Sequence, residues 1–292
     1  MSEISPELSR KLIAAVEQMP AFPKSVQRVL ELTRGVNCDP KELVMVIEKD
    51  PVITMKILRI LNSAYYSFPK QITSINQSVV YLGLNTIKNL ALSFAAVGIL
   101  PPQNDAEFDV QRYLLHTLTT AGIARLLCQK YCSNGTDPAD CYIAGLLHDF
   151  GKVVFAQYLP QEFKAALELA AQEHIPLQLA ERRVIGIDHT VAGAMLAERW
   201  RFPQALTETI RDHHSSASHP SALHNSLFVA NQISKKLDMG EGGNPIVEDL
   251  PPAMAQHFGG NDLNGVIAKL GDLSKIVEEA QTFAQVSREE AE

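Results

Sequence analysis

The sequence lacks a positive charge balance: 26 Lys and Arg stand against 33 Asp and Glu, a net charge of −7 over 292 residues. This excludes a broad basic surface for gripping nucleic-acid phosphates, though not a local basic pocket. The chain also has no uncharged apolar run of the ~18 residues expected of a membrane span. Its longest candidate, "NLALSFAAVGILPP", stops at two prolines and suits a buried helix. The opening "MSEISPELSRKL" has no charged-then-apolar secretion pattern, so a cytoplasmic location is expected. Cysteine is scarce. In that compartment Cys38, Cys128, Cys132 and Cys141 form no disulfide framework. Cys128 and Cys132 share a helix face, where a metal role competes with packing, and "IARLLCQKYC" reads as a packed face.

Alternating strand patterns with hairpin turns, internal repeats and low-complexity tracts are missing too. What is present is apolar residues at helical spacing. Leu8, Leu12, Ile13 and Val16 make one stripe, and Ile53, Ile57, Ile60 and Leu61 make another. In "CDPKELVMVIEKDP", Asp39 is placed to cap a helix whose first residue is Pro40. Pro51 opens the next helix, with Asn62 at its far end. "SINQSVVYLG" runs from a Ser cap to a stop at Gly83, with Asn85 expected to cap the helix that follows. "PPQNDAEFD" is the best internal boundary. Beyond it the spacing predicts helices at about 107–132, 138–158, 161–173, 188–200, 203–214 and 221–237. Polar breaks fall at 133–137, 215–220 and 238–252. The expectation is an all-α protein with an N-terminal helical part over 1–100, a second part over 101–237, and a loop and helical tail over 238–292.

The chemistry-bearing residues are His116, His148, Asp149, His189, His213 and His214. Taken singly, several have a plain structural explanation. His116 suits a hydrogen-bonded core position, His189 a first-turn surface position after an Asp188 cap, and the His213–His214 pair a helix C-terminus. Asp149 is different: a carboxylate within "AGLLHDFGKVV" needs a cation or several donors. Imidazole and carboxylate together suit Fe, Mn, Ni or Zn. Adjacent residues on a helix diverge by about 100°, so His148 and Asp149 share an ion only if it sits over the gap between them. His174, His219, His224 and His257 lie in polar or loop-like settings.

"GLLHDFGK" resembles the signature of the HD superfamily, metal-dependent phosphohydrolases on a helical scaffold with the pattern H…HD…D. On this resemblance His116 takes the first position, and His148 with Asp149 the pair. The late Asp falls in "LHNSLFVANQIS", where this chain has Asn231. His189, His213 and His214 resemble positions that support a second metal in relatives that cleave cyclic di-GMP. In the first half, "MPAFPKSVQRVLELT", "KDPVITMKILRILNSAYYS" and "ITSINQSVVYLG" resemble the HDOD domain, and "GIDHTVAGAMLAERWRFPQALTETIRDHH" resembles its later part. The resemblance covers about residues 15–235. It implies an HD-like helical bundle with an N-terminal helical sub-bundle, acting in bacterial signal transduction with other signalling proteins as partners.

Three functions stay open. The first is a regulatory module whose pocket binds a divalent metal, a nucleotide or a cyclic dinucleotide without turnover. The second is a working phosphohydrolase, with Asp149 at the metal and Lys152, on nearly the same face as His148, steadying a phosphate. The third is a metal-free interaction scaffold. Asn231 ranks the regulatory module first, because an amide removes one negative charge from the ligand set.

Overall fold

The computed structural model describes residues 6–33, 39–101, 103–132, 135–216 and 221–288; Cys38, His219 and the side chain of Leu8 lie outside them. Among these residues every regular element is a helix. The first half carries α1 (Pro6–Gln18), α2 (Lys24–Thr33), α3 (Pro40–Glu48), α4 (Pro51–Leu61), α5 (Ile75–Leu82) and α6 (Leu84–Val97). Then follow α7 (Val110–Tyr131), α8 (Pro138–Leu147), α9 (Phe150–Tyr158), α10 (Pro160–Glu173), α11 (Leu177–Val184) and α12 (His189–Arg199). The last are α13 (Gln204–Asp212), α14 (Ala222–Lys236), α15 (Pro252–His257), α16 (Leu263–Leu270) and α17 (Ser274–Arg288). The protein is all-α, and none of these helices is long and apolar enough to cross a membrane.

The helices group into two compact units: residues 20–100 with 278–292, and residues 1–19 with 101–277. In the first, helix starts follow the sequence punctuation. Asp39 accepts a hydrogen bond from the Lys41 N–H at 2.9 Å, and Asp50 one from Ile53 at 3.1 Å while Ser25 Oγ donates to it at 2.6 Å. Asn62 closes α4 by donating to the Leu58 and Ile72 carbonyls at 2.7 and 2.8 Å. Ile53, Ile57, Ile60 and Leu61 are buried, as is the run from Ile87 to Ala96. Asn85 caps nothing: α6 already begins at Leu84, directly after the left-handed Gly83.

In the second unit Leu12 and Val16 of α1 are buried, and α1 packs on α9 and α12. Ile13 belongs to the same stripe by spacing but is 48% exposed, because the packed face is narrower than the run of apolar residues. α7 packs against α8 and α14; α9 packs against α12. The last contact is very close. A Cβ on Gly151 would lie 1.9 Å from the His189 carbonyl oxygen, so only a glycine lets α9 meet α12 there. Two differences from the sequence reading bear on the site. The expected helix over 138–158 is broken between α8 and α9 at His148 and Asp149, and α11 is an additional helix. The stretch from 238 to 251 is non-helical, as expected.

Candidate metal centre

The break between α8 and α9 brings the pair together. His148 keeps helical dihedrals, but Asp149 sits at φ −96°, ψ 7°, turning the chain. On a continuous helix the two side chains would diverge; here His148 Nε2 lies 3.3 Å from Asp149 Oδ2. Both residues are buried, so their charges and donors must be matched within the protein.

Asp149 uses its two oxygens differently. Oδ2 accepts from Lys152 Nζ at 2.7 Å and lies 3.3 Å from His148 Nε2 and 3.8 Å from His116 Nε2. Oδ1 lies 3.2 Å from His189 Nε2 and 3.5 Å from His213 Nε2. His189 Nε2 is in turn 2.9 Å from His214 Nε2. The donor atoms thus form two groups that share Asp149: His116, His148 and Asp149; and Asp149, His189, His213 and His214.

Most of the rings are aimed from behind. His148 Nδ1 bonds the Gly145 carbonyl at 2.8 Å, and His213 Nδ1 the Ile210 carbonyl at 2.7 Å. His189 Nδ1 bonds Glu181 Oε2 at 2.6 Å. Such contacts fix the tautomer that presents Nε2 to the centre, as in metal-binding histidines. His116 and His214 differ, since the buried Nδ1 of each makes no hydrogen bond.

Burial and neighbours set the charge states. Against the cost of burial, the adjoining His148 and Lys152 hold the Asp149 carboxyl well below the usual range. Burial and the neighbouring His148 push His116 well below the usual imidazole value, and burial lowers His213 to about 3. Burial also lowers His214, together with His213 and His189. These three rings are therefore neutral and offer lone pairs. Burial opposes the charged form of His189, but Glu181 outweighs it and raises this ring to about 9. Burial and Lys152 lower Lys235, on α14, to about 8.

A divalent transition metal fits these donors. Neutral imidazoles, with His189 giving up its proton on binding, and one anionic carboxylate are ligands that Fe, Mn, Ni and Zn accept. His148 Nε2 and His213 Nε2 are buried and make no hydrogen bond, so their lone pairs are available. Asn231 is buried on α14 with a side-chain oxygen that makes no hydrogen bond. Cys128, Cys132 and Cys141 enter none of the metal-type groups found among the described residues. His189 is fully buried rather than a surface residue of its helix, because Glu181 and Asp149 flank its ring. His224, set aside by its sequence setting, is also buried, with Nε2 3.1 Å from the Ser215 carbonyl oxygen.

The stretch after α14 runs over the centre. A Cβ on Gly242 would lie 2.9 Å from Asp149 Oδ2 and 3.1 Å from Lys152 Nζ, so its backbone passes directly beside the ion pair. The strap is pinned on either side. Glu241 N donates to the Arg112 carbonyl at 3.0 Å, Asn244 Nδ2 to Gln178 Oε1 at 3.0 Å, and Glu248 N to Gln232 Oε1 at 2.8 Å. Neither Glu181 nor this strap was expected at the site. The signal for Glu181 is its place in α11: Leu177, Ala180, Glu181 and Val184 form one helical stripe, with a carboxylate on the inward face.

A helical scaffold folded around a His-Asp pair, with further histidines from distant helices, is an HD-type arrangement. The HDOD domain profile matches residues 19–216, and the chain belongs to that family. A solved HDOD domain protein of unknown function from Geobacter sulfurreducens is 26% identical, with a TM-score of 0.77, over 96% of this chain and 97% of that one. A protein described as a "putative phosphohydrolase" from Shewanella amazonensis SB2B is 24% identical, with a TM-score of 0.68, over 95% of this chain and 97% of that one. That likeness shows the fold. An uncharacterized protein of Treponema pallidum (strain Nichols) is 27% identical over 262 residues, 88% of this chain. The chain spans about half the length of that curated relative.

Proposed function

We propose that this chain is a regulatory signalling module of the HDOD type whose pocket binds a divalent transition metal and has little or no hydrolytic turnover. The observation that carries the reading is the convergence of His116, His148, His189 and His213 on the two oxygens of Asp149. His214 stands behind His189, and Asn231 takes the late ligand position by resemblance. Buried imidazoles dispersed over separate helices have little structural reason to meet at one carboxylate unless a cation joins them. Fe, Mn, Ni and Zn are the candidates.

The missing late carboxylate argues against turnover. Asn231 leaves the ligand set with less negative charge to hold and activate a dication, and Lys152 is already engaged with Asp149. When bound, a metal would supply Lewis acidity toward a phosphoryl oxygen and lower the pKa of bound water. The signalling output is a change in how the module meets partner proteins, with a nucleotide or cyclic dinucleotide as the further ligand.

A second reading, a working phosphohydrolase, is favoured by the two donor groups that share one carboxylate. The test is metal analysis of protein purified without chelator or His tag, followed by assays on cyclic dinucleotides, nucleoside triphosphates and generic phosphodiesters with Mn, Fe, Ni or Mg. Metal without turnover is expected, and Asn231→Asp should tighten metal binding by restoring an anionic oxygen at nearly unchanged volume. Robust turnover that disappears in Asp149→Ala would promote the enzyme. Equal metal binding by wild type, Asn231→Asp and Asp149→Ala would favour a metal-free interaction scaffold.

A further inference from the structure

The two sides of Asp149 are not equivalent, and the difference lies in Lys152. This residue is buried, and its ammonium donates at 2.7 Å to Oδ2, the same oxygen that His148 and His116 face. Resting on the metal-binding reading above, we infer that Lys152 is the built-in cation of the Oδ2 side. The centre then takes a single divalent ion, on the Oδ1 side, with His189, His213 and His214.

Several independent features agree. A charge-assisted bond between buried partners is strong, and an ammonium on this oxygen repels any dication that would share it. His116 lacks the acceptor behind Nδ1 that metal-binding histidines almost always have. On the Oδ2 side only His148 is backed, by the Gly145 carbonyl, whereas on the Oδ1 side Glu181 backs His189 and the Ile210 carbonyl backs His213, His214 Nδ1 making no hydrogen bond. The overall charge points the same way. A second, half-buried ammonium, Lys235, reaches the Ile246 carbonyl at 3.3 Å, and the late carboxylate is replaced by the neutral Asn231. Against two ammonium groups the interior offers Asp149 and Glu181, with Asp188 taken by Arg182 and Glu248 partly exposed near His214. With an ammonium already on Oδ2, that oxygen is the costliest place in the centre for a dication. The lysine that the sequence offers as a phosphate holder serves instead as a permanent counter-ion.

The test uses the full chain and Mn(II). Wild type should bind one Mn(II) per chain by titration calorimetry and metal analysis, with the six-line paramagnetic spectrum of an isolated ion. Lys152→Met, similar in volume and uncharged, should bind two, with an exchange-coupled spectrum. Should that variant not fold, anomalous diffraction from Mn-loaded wild-type crystals decides. A peak confined to the His189–His213–His214 side supports the inference, and a peak beside His116 and His148 overturns it. Two ions in wild type, or one in a folded Lys152→Met, would overturn the counter-ion role and leave metal binding intact. No ion in either protein would overturn the metal reading and this inference with it.

Discussion

Glu181 holds His189 twice with one oxygen: Oε2 accepts from the backbone N–H at 2.9 Å and bonds the ring Nδ1 at 2.6 Å. The carboxylate thereby fixes both the start of α12 and the direction of the ring that faces Asp149. Glu181→Gln keeps the size and removes the charge. It should weaken divalent-metal binding by about 10–100-fold, the usual effect of losing a partner behind a ligand. Titration calorimetry with Mn(II) measures it; unchanged affinity would separate Glu181 from the centre.

Metal binding should also be visible as stability. An ion that binds only the folded chain adds about 2.7 kcal/mol at a concentration one hundred times its Kd. For units of this size that corresponds to a rise of about 5–10 °C in Tm. Differential scanning calorimetry with and without Mn(II) should show the rise in wild type and lose it in Asp149→Ala. An equal rise in both proteins would place the binding elsewhere.

Gly151, two residues after Asp149, is where α9 meets the first turn of α12. An added Cβ would lie 1.9 Å from the His189 carbonyl and 2.8 Å from the Gly193 nitrogen, both backbone atoms that cannot rotate away. Gly151→Ala should cost at least about 3 kcal/mol, the upper part of the usual range for overpacking. Thermal or urea unfolding tests it, and a loss below about 1 kcal/mol would mean that the two helices separate easily.

The thiols should differ in reactivity. Burial raises Cys128 to about 11 and Cys141 higher still, while Cys132 is partly exposed. Because the thiolate is the reactive form, iodoacetamide at pH 8 should alkylate Cys132 at least about tenfold faster than the other two. Peptide mass spectrometry of the native protein reads this. Equal labelling would show that α7 and α8 open readily around Cys128 and Cys141.

The helices of the first half were legible because local chemistry punctuates them: Asp39 with Pro40, Asp50 with Pro51, and Asn62 act within a few residues of their targets. Asp149 was legible as a residue that needs partners, since a carboxylate in an apolar run cannot be left alone. The break at His148 and Asp149 was not, because "GLLHDFGKVV" keeps helical spacing throughout and carries no Gly or Pro at the two residues where the chain turns. His189 read as a surface residue because its partners, Glu181 and Asp149, lie eight and forty positions away and reach it only once the chain has folded. The role of Lys152 was hidden for a related reason. Its spacing from His148 is plain in the sequence, but the direction of its ammonium is set by the turn at Asp149.

The segment crossing the centre at Gly242 makes that carboxylate part of how the chain is laced together. It leaves α14, which carries Asn231 and Lys235, passes beside Asp149, and returns to Gln232 of the same helix through the Glu248 N–H. The chain closes a buckle, with the ion pair beneath the clasp. The same backbone leads on to α15 and α16, so the buried ion pair and the chain beyond α14 are built against each other.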